Sequence, residues 1–399
     1  MRLKLDVNPE GVDFEEADEG HLEAEEERDR LEEAVVSSTD WTTETLLNQL
    51  QRGNIDLNPR FQRRDAWTVS RKSRFIESLI ANLPIPQIVL AERKGRRGQH
   101  IVLDGKQRLL SLLQFTGSGT GKHNNFRLED LEVLTDLDGL TYQELRENAA
   151  TRHRYNSLLN QTVRSVVIKN WPDVTFLHLV FLRLNTGSVT LSPQELRQAM
   201  FPGGFSDFVD DAAIGSAALK TLLRLEEPDF RMRDVEILVR FIAFQNFLGD
   251  YRGSLKTFLD EACAALNRDW TKVQTAIHQQ VQEFEAATLA LIDIFGAGNV
   301  ARRPSDERRR PFNRAIFDVQ VHYLTQKRVR SAALRRKAAV RAAFEKLWSR
   351  DPEFVRSVET TTKSLDATHK RFSAWGNALA KATALKIRVP QLRDNRILL

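Results

Sequence analysis

The stretch Leu103-Asp104-Gly105-Lys106-Gln107-Arg108 places a carboxylate, a glycine and two basic side chains side by side. It lies between a short apolar run and a segment whose Leu109, Leu112 and Leu113 repeat at helical spacing, so it reads as a strand feeding a turn that opens a helix. Those are the parts of an anion site. Backbone N–H groups at a helix start carry partial positive charge, a glycine lets a phosphate come close, and Arg108 reaches it from one turn in. Asp104, at the strand end, is placed to hold a cation or polarise a water. Asp-Gly is also a common turn, and spacing alone leaves a purely structural role open.

Other motifs fail on their chemistry. Gly117-Ser118-Gly119-Thr120-Gly121-Lys122 is one residue short of a P-loop between its outer glycines. It ends in His123 where a hydroxyl should meet magnesium, and it follows a helix pattern where a strand is required. It reads as a flexible loop. The eight histidines are scattered singly, and Cys263 is the one cysteine, which excludes an internal disulfide and a thiolate zinc site. No Gly-x-Ser-x-Gly elbow or His-Glu-x-x-His pair supports a common hydrolase.

The elements that must position the turn are legible around it. A helix over Trp41 to Leu50 opens on Thr42 or Thr43 and ends at Gly53. Ser70 caps a second, whose Phe75, Ile76, Leu79, Ile80 and Leu83 share a face before Pro84 and Pro86 stop it. Gln87 to Leu90 and His100 to Leu103, joined by a basic Gly-containing turn, read as a hairpin, and Thr162 to Lys169 as another strand. A helix from Asp173 to Leu184 runs into Asn185-Thr186-Gly187, a C-cap or a site loop. Ser192, Pro193 and Glu195 form a capping box with a first-turn proline. Beyond Gly204 the pattern is helical, with no second strand-rich block. The expectation is an α+β protein: an acidic, disordered head over 1–40, a mixed domain over 41–204 and an all-helical domain over 205–399.

Charge sharpens that division. Residues 1–40 carry four Lys/Arg against fifteen Asp/Glu, a net of −11 within a total of +5, so the remaining body carries +16. Residues 301–350 hold fifteen Lys/Arg and four Asp/Glu, a local +11. Such a body attracts polyanions, and nucleic acid is the usual partner, although solvated helix faces share the composition. The head either shields this surface or serves as a solubility tail. Apolar runs fall far short of a membrane span, and the lone cysteine with no secretory-type stretch points to the cytoplasm and to no membrane partner.

Several blocks then agree in order and spacing over roughly residues 41–260: Asn58-Pro59-Arg60-Phe61-Gln62-Arg63, Trp67, Ile76-Glu77-Ser78-Leu79-Ile80 with Pro84-Ile85-Pro86, and Leu103 to Arg108. Phe181 to Gly187 with Leu191, Glu195 and Arg197, and Arg233-Asp234-Val235-Glu236 with Leu238, Arg240 and Phe241, follow. Together they resemble the N-terminal domain of GmrSD-type restriction endonucleases, whose signature is Asp-Gly-Gln-Gln-Arg on a fold related to ParB and sulfiredoxin. Asn313 to Leu324 and Phe354 to Leu379 resemble helical segments of the same proteins. For Phe61 and Trp67 core packing is the preferred role.

The resemblance implies a ParB/sulfiredoxin-like domain that binds and hydrolyses a nucleoside triphosphate, with magnesium, in bacterial restriction of DNA. Asp104 and Gln107 match the catalytic part of the signature. Gln62, Arg63, Gly105, Lys106, Arg108, Asn185 and Thr186 match the nucleotide-binding positions. Lys106 replaces the usual glutamine, which adds charge beside a triphosphate or marks a variant that binds without turnover. The family's His-x-x-Pro nuclease signature follows none of the histidines, so a separate nuclease or defence subunit is the implied partner. Arg308, Arg309 and Arg310 are the candidate DNA contacts in the basic segment. The alternatives to an NTP-hydrolysing sensor are a nucleotide-gated DNA-binding protein and a partner-binding scaffold.

Overall fold

A computed structural model describes residues 34–57, 65, 67–119, 123–173, 176–177, 180, 192–304, 310–360 and 362–398. Among these, one compact unit runs to Met200 and takes in Phe230–Met232; the other comprises Phe201–Asp229 and Arg233–Leu399. The architecture is α+β, with the sheet in the first unit and helices dominating the second.

The first unit runs β1 (Val35–Thr42), α1 (Thr43–Gln51), β2 (Ile55–Asp56), α2 (Val69–Ile80), β3 (Ile88–Glu92) and β4 (His100–Asp104). It continues with α3 (Lys106–Phe115), α4 (Tyr142–Glu147), α5 (Arg152–Asn160), β5 (Thr162–Lys169) and α6 (Pro193–Met200). The sheet order is β1-β5-β3-β4-β2. β3 and β4 pair antiparallel, as the hairpin pattern requires, with an irregularity between Val89 and Leu90, while β3 runs parallel to β5 and β2 to β4.

The continuous apolar runs of β3 and β4 follow from burial on both faces. Ile88, Leu90 and Val102 pack with Leu46, Ile76, Leu109 and Leu112 from α1, α2 and α3. The alternate residues Val89, Ala91 and Leu103 pack on the opposite face with Trp171, Leu177 and Leu196. Trp67 packs against this core, edge-on to Phe75 at 6.0 Å, with the Arg71 guanidinium 4.7 Å over its ring.

Three local readings change. The composition boundary at residue 40 falls inside β1, which pairs along its whole length with β5 from Val35↔Lys169 to Thr42↔Thr162. Helix α1 therefore starts at Thr43, with Thr42 as the cap accepting from Thr45 N at 3.2 Å. The cap of α2 is Thr68 rather than Ser70: its backbone is extended (φ −65°, ψ 161°) and its hydroxyl accepts from Arg71 N at 3.3 Å.

The second unit contains α7 (Gly204–Gly215), α8 (Ala217–Leu223), α9 (Arg233–Phe247), α10 (Leu255–Arg268), α11 (Trp270–Phe295) and α12 (Arg314–Leu324). It continues with α13 (Lys327–Arg335), α14 (Lys337–Arg350), α15 (Pro352–Glu359) and α16 (Leu365–Thr383). It is not all-helical. Gln391–Arg393 (β6) and Arg396–Leu398 (β7) form a hairpin turning on Asp394 and Asn395, at φ 48° and 56°. Two such positive angles are what a two-residue hairpin demands. Ile397 is buried, and the hairpin closes the end of this unit.

Candidate functional site at the Asp104 turn

Strand β4 ends on Asp104, Gly105 forms the N-cap, and α3 begins at Lys106. Gly105 has φ 95°, ψ 10°, a left-handed conformation that a side chain disfavours. Space makes the same demand. A Cβ there would stand 3.1 Å from Ile88 Cγ1 and 3.4 Å from Arg108 Nε and Nη2. The missing side chain is what lets Arg108 fold back across the turn.

Arg108 Nη2 donates to Asp104 Oδ2 at 2.8 Å, one helical turn away. The arginine side chain is 7 % exposed and the aspartate 16 %, so the pair is not the surface feature that its place in a turn implies. Each member is half used. Among the described residues, Asp104 Oδ1 takes no protein donor, and the other Arg108 N–H groups meet no protein acceptor. A guanidinium carries five N–H donors in a rigid fork, and one that meets a single protein acceptor is set up for an anion.

Lys106, the first residue of α3, is paired as well. Its ammonium bonds Glu195 Oε1 inside the domain, both side chains being buried. Glu195 is also the capping-box residue of α6: Ser192 N donates to its Oε2 at 2.7 Å and its own N donates to Ser192 Oγ at 3.1 Å. The capping pattern is visible in the sequence. The pairing with Lys106 is not, because nothing in local spacing links residues 89 apart. Gln107 is buried on the first turn of α3, where its carbonyl accepts from Ser111 Oγ at 2.7 Å.

A second buried pair, Lys72 with Asp65, fixes the start of α2, and Trp67 N donates to Asp65 Oδ1 at 3.2 Å. Sequence reasoning passed over both. Glu77, inside the matching block of α2, is likewise structural. Its Oε1 accepts from Val133 and Leu134 N at 2.7 and 2.6 Å and its Oε2 from Glu132 N at 3.1 Å. Burial pushes its pKa up, but these N–H groups outweigh that and hold it below the ordinary carboxylate value.

Gln62, Arg63, Phe61, Asn185, Thr186, Arg308 and Arg309 lie outside the described residues, as do Thr120, Gly121 and Lys122. Arg310 is described in the second unit, where its Nη2 donates to Asn299 Oδ1 at 2.7 Å. Among the described residues no group of three His, Cys, Asp or Glu side chains could hold a metal by itself. Asp104 Oδ1 is open either to a water or, as a single carboxylate ligand, to a magnesium ion held mainly by substrate phosphates.

The class so defined is a mixed-sheet α+β domain that presents a buried carboxylate–guanidinium pair on a glycine-capped strand-to-helix turn. Residues 43–202 match the family GmrSD restriction endonuclease, N-terminal domain, over about two fifths of the chain. No curated protein and no solved structure matches the chain. The blocks from Arg233 onward lie beyond the matched residues. Among the described residues no helix is long and apolar enough to cross a membrane.

Proposed function

We propose that the domain binds and hydrolyses a nucleoside triphosphate and acts as the sensor or regulatory part of a cytoplasmic DNA restriction system. The carrying observation is the half-used pair: Arg108 keeps N–H donors for a phosphate while Asp104 keeps Oδ1. Magnesium, bound with the nucleotide, would neutralise developing phosphate charge. Arg108 orients the terminal phosphate, and Asp104 Oδ1 holds the proton of the attacking water. Water oxygen bonds to the terminal phosphorus, the bond to the bridging oxygen breaks, and inorganic phosphate leaves. The +16 body supplies the attraction for DNA, and cleavage falls to a separate nuclease.

Phosphate release from a panel of nucleoside triphosphates, with and without DNA, tests this reading. The intact chain releases phosphate, Asp104→Asn binds nucleotide without release, and Arg108→Ala loses nucleotide affinity while remaining folded. Unchanged affinity in a folded Arg108→Ala chain would overturn it. The second reading, a nucleotide-gated DNA-binding protein without turnover, is favoured by Lys106, whose charge is neutralised by Glu195. Tight nucleotide binding with no release under any DNA condition selects it.

A further inference from the structure

The second unit contains a cavity of about 410 Å³ between the C-terminal end of α11, the segment that follows it and one face of α14. Its apolar wall is Phe295 and Phe344, edge to face at 5.9 Å. Arg302, Arg303, Arg310 and Arg341 line much of the rest, with Asn299 and Pro304, and Glu345 is the one carboxylate among the described lining residues.

Two of these guanidinium groups are held by neutral acceptors. Arg341 Nη1 donates to Ile294 O at 2.9 Å, at the last turn of α11, and Arg310 Nη2 donates to Asn299 Oδ1 at 2.7 Å. Neither has a carboxylate within ion-pair distance among the described residues. The buried Arg302 fixes the backbone beside them, its Nη1 donating to Arg310 O at 2.6 Å. Each of the two forks thus stays oriented by one bond and keeps other N–H groups and its full charge.

We infer that this cavity is a second anion site, taking the phosphate group of one nucleotide unit on Arg310 and Arg341 above a floor closed by the buried Phe295 and Phe344. Its volume lies in the range of small-ligand sites, and forks that keep spare N–H groups suit the oxygens of a phosphate. The site is independent of the Asp104 turn. It gives the DNA contact of the basic segment an address, and the unit comes either from a nucleic acid strand or from free nucleotide.

Two probes separate those sources. A short fluorescent single-stranded DNA is titrated onto the full chain at several salt concentrations. Arg310→Ala with Arg341→Ala weakens binding by about tenfold per contact and flattens the slope of log affinity against log salt by about 1.4. The control, Arg328→Ala with Arg335→Ala, removes the same charge from exposed positions on α13 and costs far less. Should the double variant not fold, Arg341→Gln alone, at an exposed residue, flattens the slope by about 0.7. Free nucleotide is tested with ATP on an Arg108→Ala chain, which has lost the first site. ATP that still binds, and is released by adding Arg341→Ala, identifies free nucleotide as the source. Equal losses in pocket and control variants, or no change with either probe, overturn the proposal.

Discussion

Each unit buries an ion pair at i,i+4 spacing, and the two pairs are built for different purposes. Asp104 and Arg108 share one hydrogen bond at the end of a strand, with an oxygen and several N–H groups left over. In the second unit Arg240 is wholly enclosed: Nε and Nη2 donate to Asp318 Oδ1 and Oδ2 at 3.2 and 2.6 Å. Glu236 Oε1 completes a quartet, 3.8 Å from Arg240 Nη1 and 2.9 Å from Arg314 Nε. Two carboxylates and two guanidinium groups thereby neutralise each other between α9 and α12. At the Arg240–Asp318 pair, 0 % and 2 % exposed, exchanging a partner means exposing a charge to an apolar interior, so the pair serves to hold the helices together. A half-used pair beside a glycine turn can trade its partner for a ligand. Spacing is the same in both, and enclosure separates structure from chemistry.

The largest test of that contrast is Asp318→Ala. It strands the Arg240 charge and should cost about 3–5 kcal/mol of stability in denaturant unfolding. A cost near zero would put the quartet in the same class as the turn. Next comes pH. His322 is fully buried, and burial pushes its pKa down to about 4; Gln245 Nε2 lies 3.0 Å from Nδ1, where the neutral ring accepts. The unfolded chain binds this proton near pH 6.5, so the stabilisation is complete above that value. It is lost as pH falls from about 6.5 to about 4, by about 3 kcal/mol in all. His322→Gln should flatten that acid limb, and an unaltered limb would show that the ring titrates normally.

Glu77→Ala follows, leaving three backbone N–H groups without their acceptor at a cost of about 2 kcal/mol. Because the Glu77 pKa is held below its ordinary 4.5, its stabilisation is present above that value and disappears as pH falls through the folded pKa. The variant should lose this component of acid sensitivity in thermal melts taken across that range. The smallest stability effect is expected for Asp104→Asn. A shift within about 1 kcal/mol together with abolished phosphate release sharpens the contrast, since an isosteric amide keeps the bond to Arg108. A loss as large as that of Asp318→Ala would make Asp104 a structural residue.

What the sequence determined by itself is local. The runs Ile88 to Ala91 and Ile101 to Leu103 dictate strands buried on both faces, and Leu109, Leu112 and Leu113 dictate a helix behind the turn. Ser192 and Glu195 set the start of α6 because a capping box needs only residues three apart. Asp104, Gly105 and Arg108 could be brought together on paper for the same reason. Tertiary structure decided the rest. Val35–Thr42 has no alternation to mark it as a strand, and β5 supplies the hydrogen bonds that make it one. Asp394 and Asn395 turn a hairpin although neither is glycine. Glu77, within a block that resembles the family pattern, proves to be an anchor for residues 132–134, and Lys106 finds Glu195, 89 residues away in the chain. Spacing along the chain selects backbone angles and faces within a few residues. Which distant charge lies opposite, and whether water still reaches the pair, is fixed only when sheet and helices close around it.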